Sequence, residues 1–454
     1  MKPDKKVRIT PVSLPVIYFL TVILAGTLLL MAPFSRAHHQ GTGFLDALFT
    51  ATSAVCVTGL ATLDTGTHFS RAGQTIIMLL IQLGGLGIMT FTSLAFYLLR
   101  RKVSFNDHIN VSQTMMLDTS FHLAKFLKRI FLFTIFIEGI GALLLYLLDP
   151  AKFTPFSAVF HAVSAFCNAG FSLFSDSLMA FSSNWGVNFV VMALIILGGL
   201  GFAVLVELER MTSARIKRRK VKPKLSWHSE IVLKTSAFLI VIGAVFFFIM
   251  ESSNAAPGMS LSGHFLTALF QSVTARTAGF NTLDIGGMTN VSLLFLIMLM
   301  FIGGAPGSCA GGVKVTTFRV FLAFIGAQAR GHHQTYIGRF AVDKASLNKA
   351  VTLLFFSAVL IFISILVLDF TEGGNISHMQ ARGQFIEVVF EAVSAFGTVG
   401  LSTGLTAKLT PMGKIIIITL MFIGRLGPLV FISVLQSMRR DTLYSKPEEI
   451  IGIG

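Results

Sequence analysis

A short phrase that ends in glycine followed by a bulky apolar residue occurs four times in this chain. The four copies span residues 53–60, 164–171, 274–280 and 394–401. Their glycines lie 111, 109 and 121 residues apart and are Gly59, Gly170, Gly279 and Gly400. Four equivalent loops in one polypeptide predict four structural repeats whose loops meet around a common axis.

The composition places the chain among integral membrane proteins. Hydrophobic residues make up 54% of it and charged residues 13%, with a mean hydropathy of +0.77, whereas soluble domains carry about 25% charged residues. Residues 11–31, 72–99 and 290–313 carry no charge. Each of these stretches reaches or exceeds the ~20 residues that a helix needs to cross a bilayer. The first is too long for the apolar region of a secretory signal, so we interpret it as a retained helix.

Each repeat contains two long apolar segments with a shorter one between them. The long segments lie near residues 12–32, 72–99, 127–148, 187–206, 231–250, 290–326, 349–369 and 413–438. The shorter ones lie near 44–56, 156–167, 261–275 and 383–397, and each runs directly into a glycine phrase. An apolar helix too short to cross that ends in a loop indicates a re-entrant segment, because irregular backbone at membrane depth is tolerated where it lines a watery cavity.

This pattern predicts an all-α integral membrane protein with eight transmembrane helices around one central pore. The predicted unit is helix, re-entrant pore helix and helix, repeated four times. The repeats lie near residues 12–99, 127–206, 231–326 and 349–438, within a single membrane domain of residues 1–454. Residues 439–454 are predicted to form a cytoplasmic C-terminal tail.

The basic residues predict the orientation. With both termini cytoplasmic, 27 of the 36 Lys and Arg residues fall in cytoplasmic segments, as the positive-inside rule requires. The glycine phrases then enter from the outer face. The net charge of +15 is therefore mostly a topology signal. The basic run at residues 215–224 favours contact with anionic lipid heads or a cytoplasmic partner over a nucleic acid. Cys56, Cys167 and Cys309 suggest neither a disulfide framework nor metal-ligand spacing. Cys56 and Cys167 each precede a phrase glycine by three residues and are predicted to be small buried residues beside the glycine loops.

The glycine phrases carry the chemistry of an ion-selectivity filter. A dehydrated cation needs replacement oxygens, which backbone carbonyls supply, and glycine permits the backbone geometry that turns carbonyls inward. The candidate filter residues are Val57, Thr58, Gly59, Asn168, Ala169, Gly170, Thr277, Ala278, Gly279, Thr398, Val399 and Gly400. The preceding hydroxyls that could cap or pin the pore helices are Ser53, Ser164, Thr274 and Ser394. Repeat three has one residue fewer between Phe270 and its glycine. The alternative interpretation is that these glycines only allow close helix packing.

A second set of glycines lies deeper in each repeat, at residues 84–87, 198–201, 303–304 and 424–427. In repeats one and two, close helix packing is the favoured interpretation. Repeat three has five glycines and a proline in ten residues, so no helix keeps its hydrogen bonds there. The unwound candidate gate comprises Gly303, Gly304, Ala305, Pro306, Gly307, Ser308, Cys309, Ala310, Gly311 and Gly312.

Arg425 lies within the last long helix, where a charge costs ~2.5 kcal/mol or more unless it faces water, a pore or a partner. It is predicted to be an electrostatic barrier below the filter. Pairing with Glu138, or snorkelling to the interface, remains the alternative.

These residues resemble the Trk/Ktr/HKT superfamily of potassium transporters, and most closely the membrane subunits of bacterial Ktr systems. The resemblance rests on the four glycine phrases and on the segments at residues 301–308 and 421–428. It implies a potassium pathway within each subunit, with the filter glycines, the gating loop and the pore arginine at the positions given above. In related plant proteins a serine at the position of Gly59 accompanies sodium permeation. The resemblance therefore implies that the glycine at this position favours potassium.

The resemblance also implies partners and a location. Such subunits form homodimers through their C-terminal regions and dock on a cytoplasmic ring of nucleotide-binding (KtrA-like) regulatory subunits that sense ATP and ADP. Transport is often stimulated by sodium. The implied location is the bacterial cytoplasmic (inner) membrane, in contact with membrane lipid. No cofactor is expected in this chain itself.

The sequence pattern does not favour two other function classes, an alternating-access carrier and an intramembrane enzyme. An alternating-access carrier for another cation or small solute usually has repeats of several helices, which the four short repeats here do not favour. An intramembrane enzyme would need a nucleophile–base pair or metal ligands at membrane depth. The sequence has no HExxH or GxSxG motif, so no catalytic residues are assigned.

Overall fold

The computed structural model describes residues 13–37, 41–87, 123–218, 224–252, 254, 260–374, 377, 381 and 383–427. This part of the chain is helical apart from one two-stranded hairpin. The predicted all-α class is therefore observed, and the expectations for residues 88–122 and 428–454, the C-terminal tail among them, lie outside the described residues.

The described part of the first repeat contains four α-helices: α1 (Ser13–Met31), α2 (Phe44–Val55), the short α3 (Thr65–His68) and α4 (Arg71–Gly85). Helix α2 is the predicted half-length segment, and α1 and α4 both pack against it. Helix α4 is capped by Ser70, whose side chain accepts a hydrogen bond from the Gly73 N–H. Such a cap satisfies one of the donors that a helix start leaves without a partner.

The other repeats follow the same order of long helix, half-length helix and further helices. Repeat two contains α5 (Leu123–Leu148), α6 (Pro155–Phe166), α7 (Trp185–Gly199) and α8 (Phe202–Ile216). Repeat three contains α9 (Trp227–Met250), α10 (Leu261–Thr274), α11 (Asn290–Phe301) and α12 (Val315–Ala329). Repeat four contains α13 (Lys344–Gly373), α14 (Gln384–Gly397) and α15 (Pro411–Leu426).

A hairpin that the sequence patterns did not predict connects repeats three and four. Strands β1 (Tyr336–Ile337) and β2 (Phe340–Ala341) pair antiparallel across a two-residue loop. Gly338 has a φ of +63° at the first loop position, where the tight turns that join twisted strands need glycine. The Trp227 indole N–H donates to the Ile337 carbonyl at 3.1 Å and so fixes the hairpin against α9.

Four of the described helices are long and apolar enough to cross a bilayer: α1, α5, α9 and α13. Helices α7 and α8 pass the same test only as a pair and are bent by 110° at their junction, so the expected single helix over 187–206 is wrong. Helices α11 and α12 are separate, as the broken segment of repeat three predicted. The predicted spans to residues 99 and 438 continue beyond the described residues.

The long helices turn apolar side chains outward. Only 17% of the α13 span is buried, and Phe355, Phe362 and Phe370 on it are more than half exposed. Apolar surface on this scale is unfavourable in water and is covered by lipid in membrane proteins. The chain is therefore an all-α, multi-pass membrane protein.

Candidate ion-selectivity filter and the segment beneath it

The four pore helices, α2, α6, α10 and α14, each end directly at a glycine phrase. In repeats one, two and four, the residue directly before the filter glycine donates its N–H to a carbonyl five residues earlier. The distances are 2.8 Å for Thr58 to Ser53, 2.7 Å for Ala169 to Ser164 and 2.8 Å for Val399 to Ser394. In repeat three, the Ala278 N–H reaches the carbonyl of Thr274, four residues earlier, at 3.0 Å. The missing residue is thus absorbed where the helix ends, and the filter glycine keeps its place.

The backbone of all four phrases alternates in the same way. The residue two positions before each glycine has a positive φ: Val57 (56°), Asn168 (59°), Thr277 (69°) and Thr398 (48°). The glycines follow with φ values of 95°, 70°, 78° and 89°. The residue between the two positions does not have a positive φ in any of the four phrases. Left-handed backbone is unusual for β-branched residues and marks strained, functional segments. The alternation lets successive carbonyls face the same side of the loop.

The four glycines close a ring. A Cβ built on Gly59 would lie 2.5 Å from the Ala169 carbonyl oxygen, and one on Gly170 would lie 2.8 Å from that of Ala278. One on Gly279 would lie 2.6 Å from the Val399 oxygen, and one on Gly400 would overlap that of Thr58. The loops therefore follow one another in chain order, and the fourth contacts the first. Each glycine sits where the next loop leaves no room for a side chain.

The predicted pinning hydroxyls bond to the filter backbone, which confirms that expectation. Ser53 Oγ accepts from the Gly59 N–H at 3.0 Å. Ser394 Oγ accepts from the Gly400 N–H at 3.1 Å and donates to the Leu401 carbonyl at 2.7 Å. The hydroxyls of Ser164 and Thr274 donate to the carbonyls of Phe171 and Phe280 at 2.7 and 2.6 Å. Cys56 and Cys167 are buried beside the filter, as expected.

One position in each pore helix contributes polar groups that the sequence analysis missed. It directly follows the shared phenylalanine and holds Thr50, His161, Gln271 and Glu391, all fully or almost fully buried. Glu391 accepts from the hydroxyls of Ser402 and Thr406, the latter at 2.7 Å. His161 Nε2 lies 3.1 Å from Ser172 Oγ. Ser172 and Ser402 each lie two residues beyond a filter glycine, so these two side chains tie the outer loop to its pore helix.

The deeper glycines serve two purposes. A Cβ on Gly84, Gly198 or Gly424 would overlap the last carbonyls of the neighbouring pore helix, which agrees with the packing interpretation. The helices also end just before glycines with a positive φ: Gly87 (82°), Gly201 (84°) and Gly427 (81°). In repeat two the chain turns there into α8. Among the described residues, the interruption is therefore not confined to repeat three.

The predicted unwound segment of repeat three is observed between α11 and α12 and lies directly beneath the filter. A Cβ on Gly311 would overlap the Thr398 side chain, and one on Gly303 would lie 3.5 Å from Thr277 Cγ2. Its own ends are joined by the Gly303 N–H, which donates to the Val313 carbonyl at 2.8 Å. The segment thus contacts the inner side of the third and fourth filter loops.

The same segment is bonded to the other three repeats. The N–H groups of Ala305 and Cys309 donate to the carbonyls of Gly199 and Gly198 in repeat two, at 2.9 and 3.2 Å. Cys309 Sγ lies 2.9 Å from the Gly85 carbonyl in repeat one. Arg425, from repeat four, donates to the Cys309 carbonyl.

Arg425 is buried at the C-terminal end of α15, below the filter. Its second amino group donates to the Gly84 carbonyl, so one guanidinium connects repeats one, three and four. Glu138 does not pair with it. Instead, that carboxylate accepts from the Gln82 amide at 3.1 Å. The alternative of an Arg425–Glu138 pair is thus not what the structure contains.

A second buried arginine was not assigned a role from sequence. Arg276 takes the place of Cys56 in the third phrase, and its amino groups lie 3.4 Å from the carbonyls of Ser236 and Gly303. Lys314 Nζ donates to the Ala310 carbonyl at 2.6 Å within the unwound segment. Basic side chains thus donate hydrogen bonds to carbonyls of the unwound segment, which have no helical N–H to accept from.

Half-length helices, strained glycine loops closed into a ring and an interrupted helix beneath them define a membrane transport protein. The family model TrkH, described as Cation transport protein, matches residues 6–442. The chain therefore belongs to the TrkH cation transport protein family.

Three similar proteins bear on this assignment. The chain is 41% identical to the Ktr system potassium uptake protein B of Bacillus subtilis, over 95% of this chain and 94% of that one. It is 39% identical to the potassium/sodium uptake protein NtpJ of Enterococcus hirae, over 100% and 99%. The crystal structure of the potassium transporter TrkH from Vibrio parahaemolyticus superposes with a TM-score of 0.73 at 18% identity, covering 95% of this chain and 86% of that one.

Proposed function

We propose that this chain is the translocating membrane subunit of a Ktr-type potassium uptake system. The observation that supports the proposal is the closed ring of four glycine loops with alternating φ. From it we infer that carbonyl groups of every repeat surround one axis. Carbonyl rings of this kind replace the hydration shell of an alkali cation. The similarity to a potassium uptake protein of Bacillus subtilis and to a potassium/sodium uptake protein of Enterococcus hirae supports potassium as the transported ion.

The proposed architecture is a single membrane domain over residues 1–454, with eight spans around one pore in the bacterial cytoplasmic membrane. Both termini are cytoplasmic, and residues 439–454 form the tail. The repeats near 12–99, 127–206, 231–326 and 349–438 each contribute one quarter of the filter. The observed order of long helix, pore helix and further helices supports this division.

The proposed gate is the segment from Gly303 to Gly312 together with Arg425. The segment lies directly under the filter loops, and the guanidinium holds one of its carbonyls. A buried charge at membrane depth is unfavourable unless it has a function or a partner. We propose that Arg425 and the segment together occlude the pore, which would explain why the guanidinium is there. We propose further that the subunit forms a homodimer and docks on a KtrA-like ring of nucleotide-binding subunits, which controls the gate, with sodium stimulating transport.

The Gly279→Ser substitution tests the filter. Gly279 has a φ of +78°, and a Cβ there meets the Val399 oxygen at 2.6 Å. Left-handed backbone alone costs an L-residue about 1–2 kcal/mol, so we expect the preference for potassium over sodium to fall roughly 5- to 30-fold. Rubidium uptake into liposomes, competed by potassium or sodium, measures this preference.

Gly139→Ser is the matched control, because a Cβ at Gly139 meets no atom within 4 Å. The Gly139→Ser variant should leave selectivity unchanged. In a separate test of transport, expression of the wild type should rescue a potassium-uptake-deficient bacterium at low external potassium. Unchanged selectivity after substitution of each of the four filter glycines would refute the filter. Competition by a small organic solute but not by potassium would favour the carrier.

A further inference from the structure

A cavity of about 1030 Å³ lies between α9, α12 and the β1–β2 hairpin, away from the filter. Helix α9 forms one wall and α12 the other. The hairpin closes one end, held there by the Trp227–Ile337 hydrogen bond and by the packing of Trp227 on Phe340, whose ring centroids are 5.3 Å apart. The volume is at the upper end of that found for small-molecule sites. The filter and gate do not use this space.

The cavity is strongly basic. Four cations line it, Lys224, Lys234, Arg319 and Arg339, against the single carboxylate of Glu230. Glu230 is already paired with Lys234 at 2.5 Å. Among the ion pairs that the described residues form, none includes the other three cations. The cavity therefore has an excess of positive charge that complements an anion.

The rest of the lining is apolar and opens outward. Phe238 is 60% exposed and Leu322 is 41% exposed, and Phe318 and Ile231 lie beside them. Basic and apolar side chains line the cavity side by side. Lys224 and Arg339 lie at the hairpin end, near the start of α9, and Arg319 lies on α12 between Phe318 and Leu322. Phe238 lies 11 residues into α9, about 16 Å along its axis. A small soluble anion would leave the apolar side chains uncovered.

Arg319 shows how deep the basic lining extends. It lies four residues after the start of α12, about 6 Å along the helix axis, and α12 begins at the unwound segment beneath the filter. A cation at this depth is unfavourable unless it meets an anion or water. An anion that reaches it must itself be compatible with the membrane.

We propose that this cavity binds one anionic phospholipid of the cytoplasmic leaflet. The headgroup meets the basic side chains of the cavity, and an acyl chain covers the exposed Phe238 and Leu322 beside them. Juxtamembrane basic groups attract anionic lipid in this way, and Trp227, at the start of α9, is a residue type that favours the membrane interface. The inference rests on the proposed orientation, with the start of α9 cytoplasmic, but not on the filter or the gate.

The test uses the full-length protein in mild detergent, titrated with phosphatidylglycerol and observed by mass spectrometry of the intact protein–lipid complex. We expect one retained lipid per chain. Arg319→Gln combined with Arg339→Gln should weaken retention about thirtyfold, roughly fivefold per basic residue. The control, Lys344→Gln with Lys349→Gln, removes the same charge from the exposed start of α13, outside the cavity, and should leave retention unchanged.

A second variant, Leu322→Trp, keeps every charge and fills the apolar part of the cavity, so it should also reduce retention. Equal losses in the cavity and control variants would overturn the proposal in favour of general surface charge. Retention of phosphatidylcholine as strong as that of phosphatidylglycerol would also overturn it. Displacement by glycerol phosphate, with Leu322→Trp silent, would show a site for a soluble anion instead. The readout requires no ion flux, so it is independent of the proposed transport function.

Discussion

Replacement of Arg425 by methionine tests the proposed gate most directly. The guanidinium donates to two buried carbonyls, those of Cys309 in the unwound segment and Gly84 at the end of α4. Hydrogen bonds to charged groups contribute about 1.5–3 kcal/mol each, so the two together hold the segment with roughly 3–6 kcal/mol. Burying the charge costs ~2.5 kcal/mol or more. The net stabilisation of the closed arrangement is therefore about 1–3 kcal/mol.

That difference corresponds to a factor of about 5–150 in the equilibrium between closed and open states. We expect rubidium flux into liposomes, measured without a regulatory partner, to rise in Arg425→Met by a factor within this range. Selectivity should be retained, because Arg425 does not contact the filter glycines in the described hydrogen bonds.

Lys314→Met is the matched control. It also removes a cation that donates to a carbonyl of the segment, but that bond, to Ala310, joins the segment to the adjoining start of α12 and not to another repeat. It should therefore change flux much less. Unchanged or reduced flux in a correctly inserted Arg425→Met protein would refute the reasoning, as would an equal increase in both variants.

Two further predictions concern the packing behind and below the filter. Glu391→Ala removes the carboxylate that accepts from the half-buried Ser402 and the buried Thr406. An unsatisfied buried hydroxyl costs roughly 1–3 kcal/mol, so potassium preference in the rubidium competition assay should fall. Glu391→Gln should retain most of it, Glu387→Ala on the same helix should have no effect, and an equal effect of both alanine variants would contradict the assignment. Gly198→Ala puts a methyl group on the Phe166 carbonyl and should lower the free energy of unfolding in detergent by about 1–3 kcal/mol. Gly139→Ala, which meets no neighbour, should not, and equal stabilities would contradict the packing.

The sequence was sufficient to predict the four glycine loops because glycine is obligatory there. A position that must adopt a positive φ close to another backbone requires glycine, so the same residue recurs in each repeat. The four recurrences also located the pore helices to within a residue or two. The unwound segment of repeat three was predictable for a similar reason, since its glycines and Pro306 cannot continue a helix.

The interruption in repeat two was not predictable from the same kind of pattern. Residues 187–206 form one apolar run without proline, and hydropathy does not distinguish a straight helix from two that meet at 110°. The partners of Arg425 were missed because they are backbone carbonyls, which no side-chain pattern specifies. Glu391 and His161 could have been found, because both directly follow the phenylalanine that marks the pore helix in every repeat.

The unwound segment has one more consequence. Its bonds reach the ends of helices in each of the other three repeats, so displacing it requires that contacts on several sides be lost together. If the segment is the proposed gate, such an arrangement would open cooperatively, with two states and few stable intermediates. A movement of α4, α7 or α15 would weaken a bond to the same ten residues, so signals from different faces of the protein would converge on one segment.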